Sequence, residues 1–275
     1  MEHAGSHGHE DEHRHGSARE VYIVEQTRPT REDILRIIEE TRGAKILRLV
    51  RADLAGCDLS GLQLDWADLS FTDLTKTLLQ GASFEHGKLI KAKMAGVDCS
   101  FRELEGGEKQ IVPANFAHAD LQDADFAGAV LYGVNFYSAR LEYAKLMGAD
   151  LRRANLSGAN LQGANLTGAR LSAASLTKAK LYLAILNGAN LSAYDFAGNK
   201  VLGEDGRPLP SADLAEANMS MVKVEKANLV RVNYRQAQVL GTRLHEAYTR
   251  MSELRRSKLD LLIDRIEATW KSFRT

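Results

Sequence analysis

The 275-residue chain has only two cysteines, Cys57 and Cys99, four prolines, 7% aromatic residues and a formal net charge of zero. Each shortage excludes something. Two thiols with no CxxC pair give neither a disulfide framework nor a thiolate metal cluster, and both read as small core hydrophobes. The longest apolar runs are a handful of residues, far below the ~20 that span a bilayer, so no membrane segment is expected. The polar, histidine-rich start lacks the basic-then-apolar order of a secretory signal, and a soluble cytoplasmic chain is expected. No G-x-S-x-G, P-loop or HExxH pattern occurs, so no catalytic residue and no cofactor are expected.

What is present is a period. Leucine or a close substitute recurs every five residues from Leu49 to Leu104, from Phe116 to Phe196 and from Leu214 to Leu244. In the middle block all 17 centres are Leu or Phe, and 15 of the 17 residues two places earlier are Ala. The residue just before the centre is often Asp or Asn, as in Ala154-Asn155-Leu156-Ser157-Gly158. Five residues turn an α-helix through about 500°, which would spiral the leucines around every face. A continuous strand would alternate them between its two faces. The period instead demands two or three extended residues, a bend, and another short strand. Leu and the small residue two before it then share the inner face, and the pair after Leu makes the corner, where glycine permits a positive φ. Bends of one sense close the chain into coils that stack about 4.8 Å apart.

The A-(D/N)-L-x-x pattern, as in Ala149-Asp150-Leu151-Arg152-Arg153, resembles the pentapeptide repeat family over roughly residues 47–247. The resemblance implies an all-β fold, a right-handed quadrilateral β-helix with four pentapeptides per coil and short capping helices at both ends. With 36 centres it implies about nine coils. Asn115, Asn135, Asn155, Ser175 and Asp195 are then expected to stack as a ladder, and Cys57 and Cys99 to lie two coils apart, beyond disulfide reach.

The organisation around the solenoid follows. Residues 1–20 are a His-rich tail expected to be disordered, in which His3, His7, His9, His13 and His15 are weak metal candidates lacking regular spacing. Residues 21–46 hold a short strand near Val21 and a helix over 31–42 introduced by Thr30-x-x-Asp33. Register slips place loops near 105–113 and 199–211. Residues 248–275 carry Leu259, Leu262, Ile263, Ile266, Trp270 and Phe273 at helical spacing, read as a C-terminal helix that caps the last coil or forms a homodimer.

Candidate contact residues are Tyr132, Tyr137 and Tyr143, taken as outward in three consecutive repeats, with Arg140 beside them and Glu204, Asp205 and Arg207 in the second loop. His86 and His118 are expected to face solvent. The favoured function is a non-enzymatic scaffold or regulator presenting a rigid surface to a protein partner. A second reading, suggested by the resemblance, is a DNA-mimicking protector of a type II topoisomerase (gyrase) against poisons, conferring antibiotic resistance. That reading needs a strongly negative rod, whereas the chain is acidic from Asp53 to Glu85 and basic from Leu214 onward. Direct nucleic-acid binding is not expected, because acids such as Glu142 and Asp150 interrupt the basic run Arg140, Lys145, Arg152 and Arg153.

Overall fold

The computed structural model describes residues 21–23, 28–41, 46–103, 109–195, 197, 199–244 and 247. The expected C-terminal helix and His-rich tail lie outside these residues. Within them the five-residue period is a four-sided coil. Parallel bridges join residues one coil apart, and each side carries its own ladder. The first face runs Arg48, Asp68, Lys88, Asp120, Arg140, Asn160, Lys180, Asn218, Gln238. The second runs from Asp53 to Lys223, the third from Asp58 to Asn228 and the fourth from Gln63 to Asn233.

The centres fill the axis. Leu121, Leu141 and Leu161 are fully buried, as are the alanines two places before them. Aromatic centres stack in the same column: Phe84 lies 4.9 Å from Phe116 and Phe116 5.3 Å from Phe136, with rings nearly parallel. Where the small position is threonine, its hydroxyl is buried but satisfied: Thr72 Oγ1 donates to the Leu49 carbonyl at 2.7 Å and Thr77 Oγ1 to Leu54 at 2.9 Å. Thr72→Val, which keeps the shape and removes the donor, is expected to lower stability by about 1 kcal/mol in urea unfolding. An unchanged midpoint would show the hydroxyl to be idle.

Each corner is a β-turn closed by the amide three residues after the centre, as in Ala52 N to Leu49 O at 3.0 Å. The residue two after the centre takes a positive φ, which explains the glycines at Gly158 and Gly163. Bulky residues also accept it, including Trp66 (φ 65°), His86 (57°) and His118 (59°). A left-handed L-residue costs about 1–2 kcal/mol, so these corners need compensating contacts.

Both insertions leave the coil at the corner between the third and fourth faces. After Cys99 the chain forms an antiparallel hairpin, β3 (Phe101–Glu103) and β4 (Lys109–Ile111), and the fourth face resumes at Asn115, paired with Ser83. Phe116, not Leu104, is therefore the core residue that follows Phe84 on this face. The second excursion begins after Leu191, and Asp213 pairs with Ser175, so Asp213 takes the ladder place expected of Asp195. Cys99 and Phe116 are thus centres of consecutive sides, as are Leu191 and Leu214, and because the motif runs on past each point of departure the five-residue period alone cannot show where the coil is left.

At the other end, β1 (Val21–Ile23) pairs in parallel with β2 (Ile46–Arg48), adding a rung to the first face. Between them runs α1 (Arg31–Thr41). Its start is the expected capping box: the Thr30 amide donates to Asp33 Oδ2 at 2.9 Å and the Asp33 amide to Thr30 Oγ1 at 3.2 Å. The Thr30 backbone bond, with the Thr30 hydroxyl and Arg36, holds the Asp33 carboxyl below its usual range. Ile34 and Ile37 join the core, and Arg31 donates to the carbonyls of Asp58 and Ser60 in the first coil. Cys57 and Cys99 are free thiols two rungs apart on the third face, and burial raises the pKa of each.

Candidate interaction surface

The square section decides which residues can act together. Neighbouring repeats lie on neighbouring faces, and only residues a full coil apart share one. Tyr132, Tyr137 and Tyr143 therefore sit at three successive corners and do not form a patch. Tyr137 and Tyr143 are exposed, at 46% and 58%, as expected. Tyr132 is not: it is 1% exposed, a correction to its reading as a solvent-facing contact residue.

The second insertion buries it. Residues 202–208 fold back along the third–fourth corner, turning tightly through Gly203 and Gly206, and Leu209 is buried beneath. A Cβ on Gly203 would stand 3.1 Å from Tyr132 Oη, so the backbone approaches as closely as glycine allows. Arg152 fastens the loop. Its guanidinium lies over the Tyr132 ring at 5.2 Å, donates to Asp150 Oδ2 at 2.6 Å, to Glu204 Oε1 at 3.0 Å and to the Leu202 carbonyl at 3.0 Å. The Asp150 hydrogen bond, with both carboxylates, raises the Arg152 pKa further. Arg153 reaches Asp205 at 3.4 Å, and the Arg207 amide donates to Asp205 Oδ1, holding that carboxyl below its ordinary value. Glu204 and Asp205 thus act inward as anchors, while Arg207 is exposed. Arg140 pairs with Asp120 at 2.9 Å and lies 3.5 Å from Glu142.

The structure brings together a different set. At the fourth–first corner Trp66, His86, His118 and Tyr137 form one column. Trp66 and His86 stack at 4.3 Å, His86 and His118 at 4.8 Å, and Tyr137 meets His118 edge-on at 5.4 Å. Stacking is the compensation for three strained corners. Trp66 and Tyr137 remain 46% exposed. Two carboxylates border the column: Asp65 accepts from Ser83 Oγ and the Glu85 amide, and Glu85 accepts from Asn115 and lies 3.8 Å from His86 Nε2. Asn155, Asn135 and Asn115 pass side-chain hydrogen bonds along the fourth face toward Glu85. Neither Asp65 nor Glu85 pairs with a lysine or arginine among the described residues. The signal for this column lay in the interval of 20 from Trp66 to His86, but the 32-residue step to His118 needs the true length of the first insertion.

Among the described residues no group of three or more His, Cys, Asp or Glu is placed to hold a metal, and no helix is long and apolar enough to cross a membrane. The five tail histidines lie outside those residues.

The family model for pentapeptide repeats matches in eight copies, over residues 48–85, 63–99, 114–153 and 154–192. Among solved structures the chain is similar to HetL, a pentapeptide repeat protein involved in heterocyst differentiation regulation from the cyanobacterium Nostoc sp. strain PCC 7120, at 27% identity over 79% of this chain and 94% of that one, TM-score 0.45. It is also similar to trypsin-treated QnrB1, a plasmid-mediated fluoroquinolone resistance protein, at 18% identity over 77% of this chain and 98% of that one, TM-score 0.36. A third, Rfr23 from the cyanobacterium Cyanothece 51142, is 24% identical over 54% of this chain and 90% of that one, TM-score 0.31. No curated protein matches the chain.

Proposed function

Because the chain belongs to the pentapeptide repeat family, we propose that it works in the cytoplasm as a non-enzymatic interaction rod. It offers the fourth–first corner to a protein partner. In this reading the coil is right-handed and covered at both ends, as the family resemblance implies. One observation carries the proposal: an exposed column of four rings bordered by two carboxylates that pair with no lysine or arginine among the described residues. A stacked β-helix cannot rearrange locally without breaking its ladder, so such a column is presented at little entropic cost. Aromatic anchors with adjacent charge suit a partner segment carrying apolar and basic side chains.

Affinity capture from a cytoplasmic extract with the wild-type rod and with His118→Ala/Tyr137→Ala tests this. Partners held by the wild type are expected to be lost by the variant. An identical set from both removes the column as the site.

Topoisomerase protection by DNA mimicry is the competing reading. Duplex DNA is a continuous polyanion. Here four outward acids are matched by bases one coil away: Asp73 with Lys93 at 3.2 Å, Asp120 with Arg140 at 2.9 Å, Asp125 with Lys145 at 3.4 Å, Asp150 with Arg170 at 3.2 Å. That alternation weighs against mimicry. A gyrase supercoiling assay with a quinolone separates the two: rescue of supercoiling at micromolar protein supports mimicry, and no rescue supports the partner rod.

A further inference from the structure

The corner between the first and second faces carries a second exposed feature. In its C-terminal half Tyr143, Leu183 and Met221 occupy the positive-φ position of alternate or successive coils. The coils between and after them have glycine there, Gly163 and Gly241. The Tyr143 ring lies over Gly163, where an added Cβ would come within 2.6 Å of it, and the Met221 thioether lies over Gly241. Tyr182 and Leu240, one residue earlier in their turns, widen the strip. All five apolar side chains are exposed, from 40% for Tyr182 to 65% for Leu240. The result is a smooth apolar strip spanning the rungs from Arg140 to Gln238. Four rung spacings make it about 19 Å long. Lys180 borders it on the first face and Lys223 on the second, and neither makes an ion pair among the described residues. Contiguous exposed apolar surface of this kind marks a docking site.

We propose that residues 259–273 of the same chain seat on this strip. Leu259, Leu262, Ile263, Ile266, Trp270 and Phe273 recur at helical spacing. A 15-residue helix is about 22 Å long, which matches the strip. Asp260, Asp264 and Glu267 follow at intervals of four and three, so one edge of that apolar stripe is acidic. That edge complements the lysine on one side of the strip, Lys180 or Lys223 according to the direction in which the segment runs. The chain also leaves the solenoid at the right place. Leu244 and Ala247 are buried in the last coil, and Gly241, at the end of the strip, is three residues before Leu244. Twelve residues from Ala247 to Leu259 reach at most about 40 Å, enough to bring the segment alongside. So short a tether holds it at a millimolar-range effective concentration, which favours its own rod over a second copy. The first–second corner is then occupied, leaving the fourth–first corner open to the partner.

The chain has two tryptophans, Trp66 and Trp270, so Trp66→Phe makes Trp270 the only indole while keeping a ring in the aromatic column. In that background Trp270 emission is expected to be blue-shifted and shielded from acrylamide, independent of protein concentration. Adding Leu183→Asp/Met221→Asp is expected to red-shift the emission and abolish the shielding. Both sites are exposed, and aspartate tolerates their positive φ, so the coil should be preserved, as far-UV circular dichroism checks. If that variant loses its β-signal, Asp264→Lys/Glu267→Lys probes the same contact from the other side and is expected to weaken the shielding. Three results overturn the proposal: an indole exposed in the parent, shielding indifferent to the strip or acid substitutions, or shielding that appears only with dimerisation in sedimentation velocity.

Discussion

Leu161→Ala is expected to cost about 2–5 kcal/mol, the range for truncating a fully buried leucine. Leu161 is 0% exposed at the centre of the column, between Leu141 and Leu181 on the first face. Its environment leaves little scope for collapse. The flanking rungs are held by hydrogen bonds such as Leu141 N to Asn160 O and Leu161 N to Lys180 O, both 2.7 Å, which fix the coil spacing around the vacated volume. A globular core can partly close over a lost side chain, whereas a laddered tube keeps its dimensions. The effect also spreads, because a repeat stack is stable only through its neighbours. Urea unfolding by circular dichroism reads the loss as a fall in midpoint. A loss below 1 kcal/mol would mean that the column relaxes more freely than its ladders suggest.

The second large effect concerns Arg152. Arg152→Ala removes a side chain that is 8% exposed and leaves Asp150, 14% exposed, without its shortest partner. Breaking one side of a buried pair costs about 3–5 kcal/mol. The lower end of that range applies here, because Arg170 still reaches Asp150 at 3.2 Å and Glu204 is 42% exposed. The distinguishing readout is local. The 202–208 turn loses its anchor, so limited proteolysis there should accelerate and Tyr132 should become reactive to iodination. Arg152→Lys should restore little of either, since a point charge cannot engage Asp150, Glu204 and the Leu202 carbonyl together. If Arg152→Ala leaves cleavage and Tyr132 reactivity unchanged, the loop is held by its own contacts with the coil.

Much of this architecture was readable before any coordinates. The five-residue period fixed inward and outward positions, and Leu121, Leu141, Leu161 and their alanines are buried as expected. Cys57 and Cys99 stand two rungs apart as free thiols, and the Thr30–Asp33 cap begins α1 at Arg31. What a period cannot carry is the number of repeats an insertion consumes. Leu104 and Phe196 match the motif, yet Phe116 and Leu214 take the rungs, because pairing with the coil below, not local pattern, selects them.

Surface chemistry was harder still. Tyr132, Tyr137 and Tyr143 are close in sequence but occupy three corners, while Trp66, His86 and His118 are remote in sequence and in contact. Arg152, one member of a basic run in the sequence, is the clasp of a loop 50 residues away. The sequence by itself determined the coil, its core and its corners, since these follow from side-chain alternation and turn chemistry repeated at short range. Only the tertiary structure decided which residues meet on the surface, because contact there depends on stacking over 20 or more residues and on where each insertion lies down.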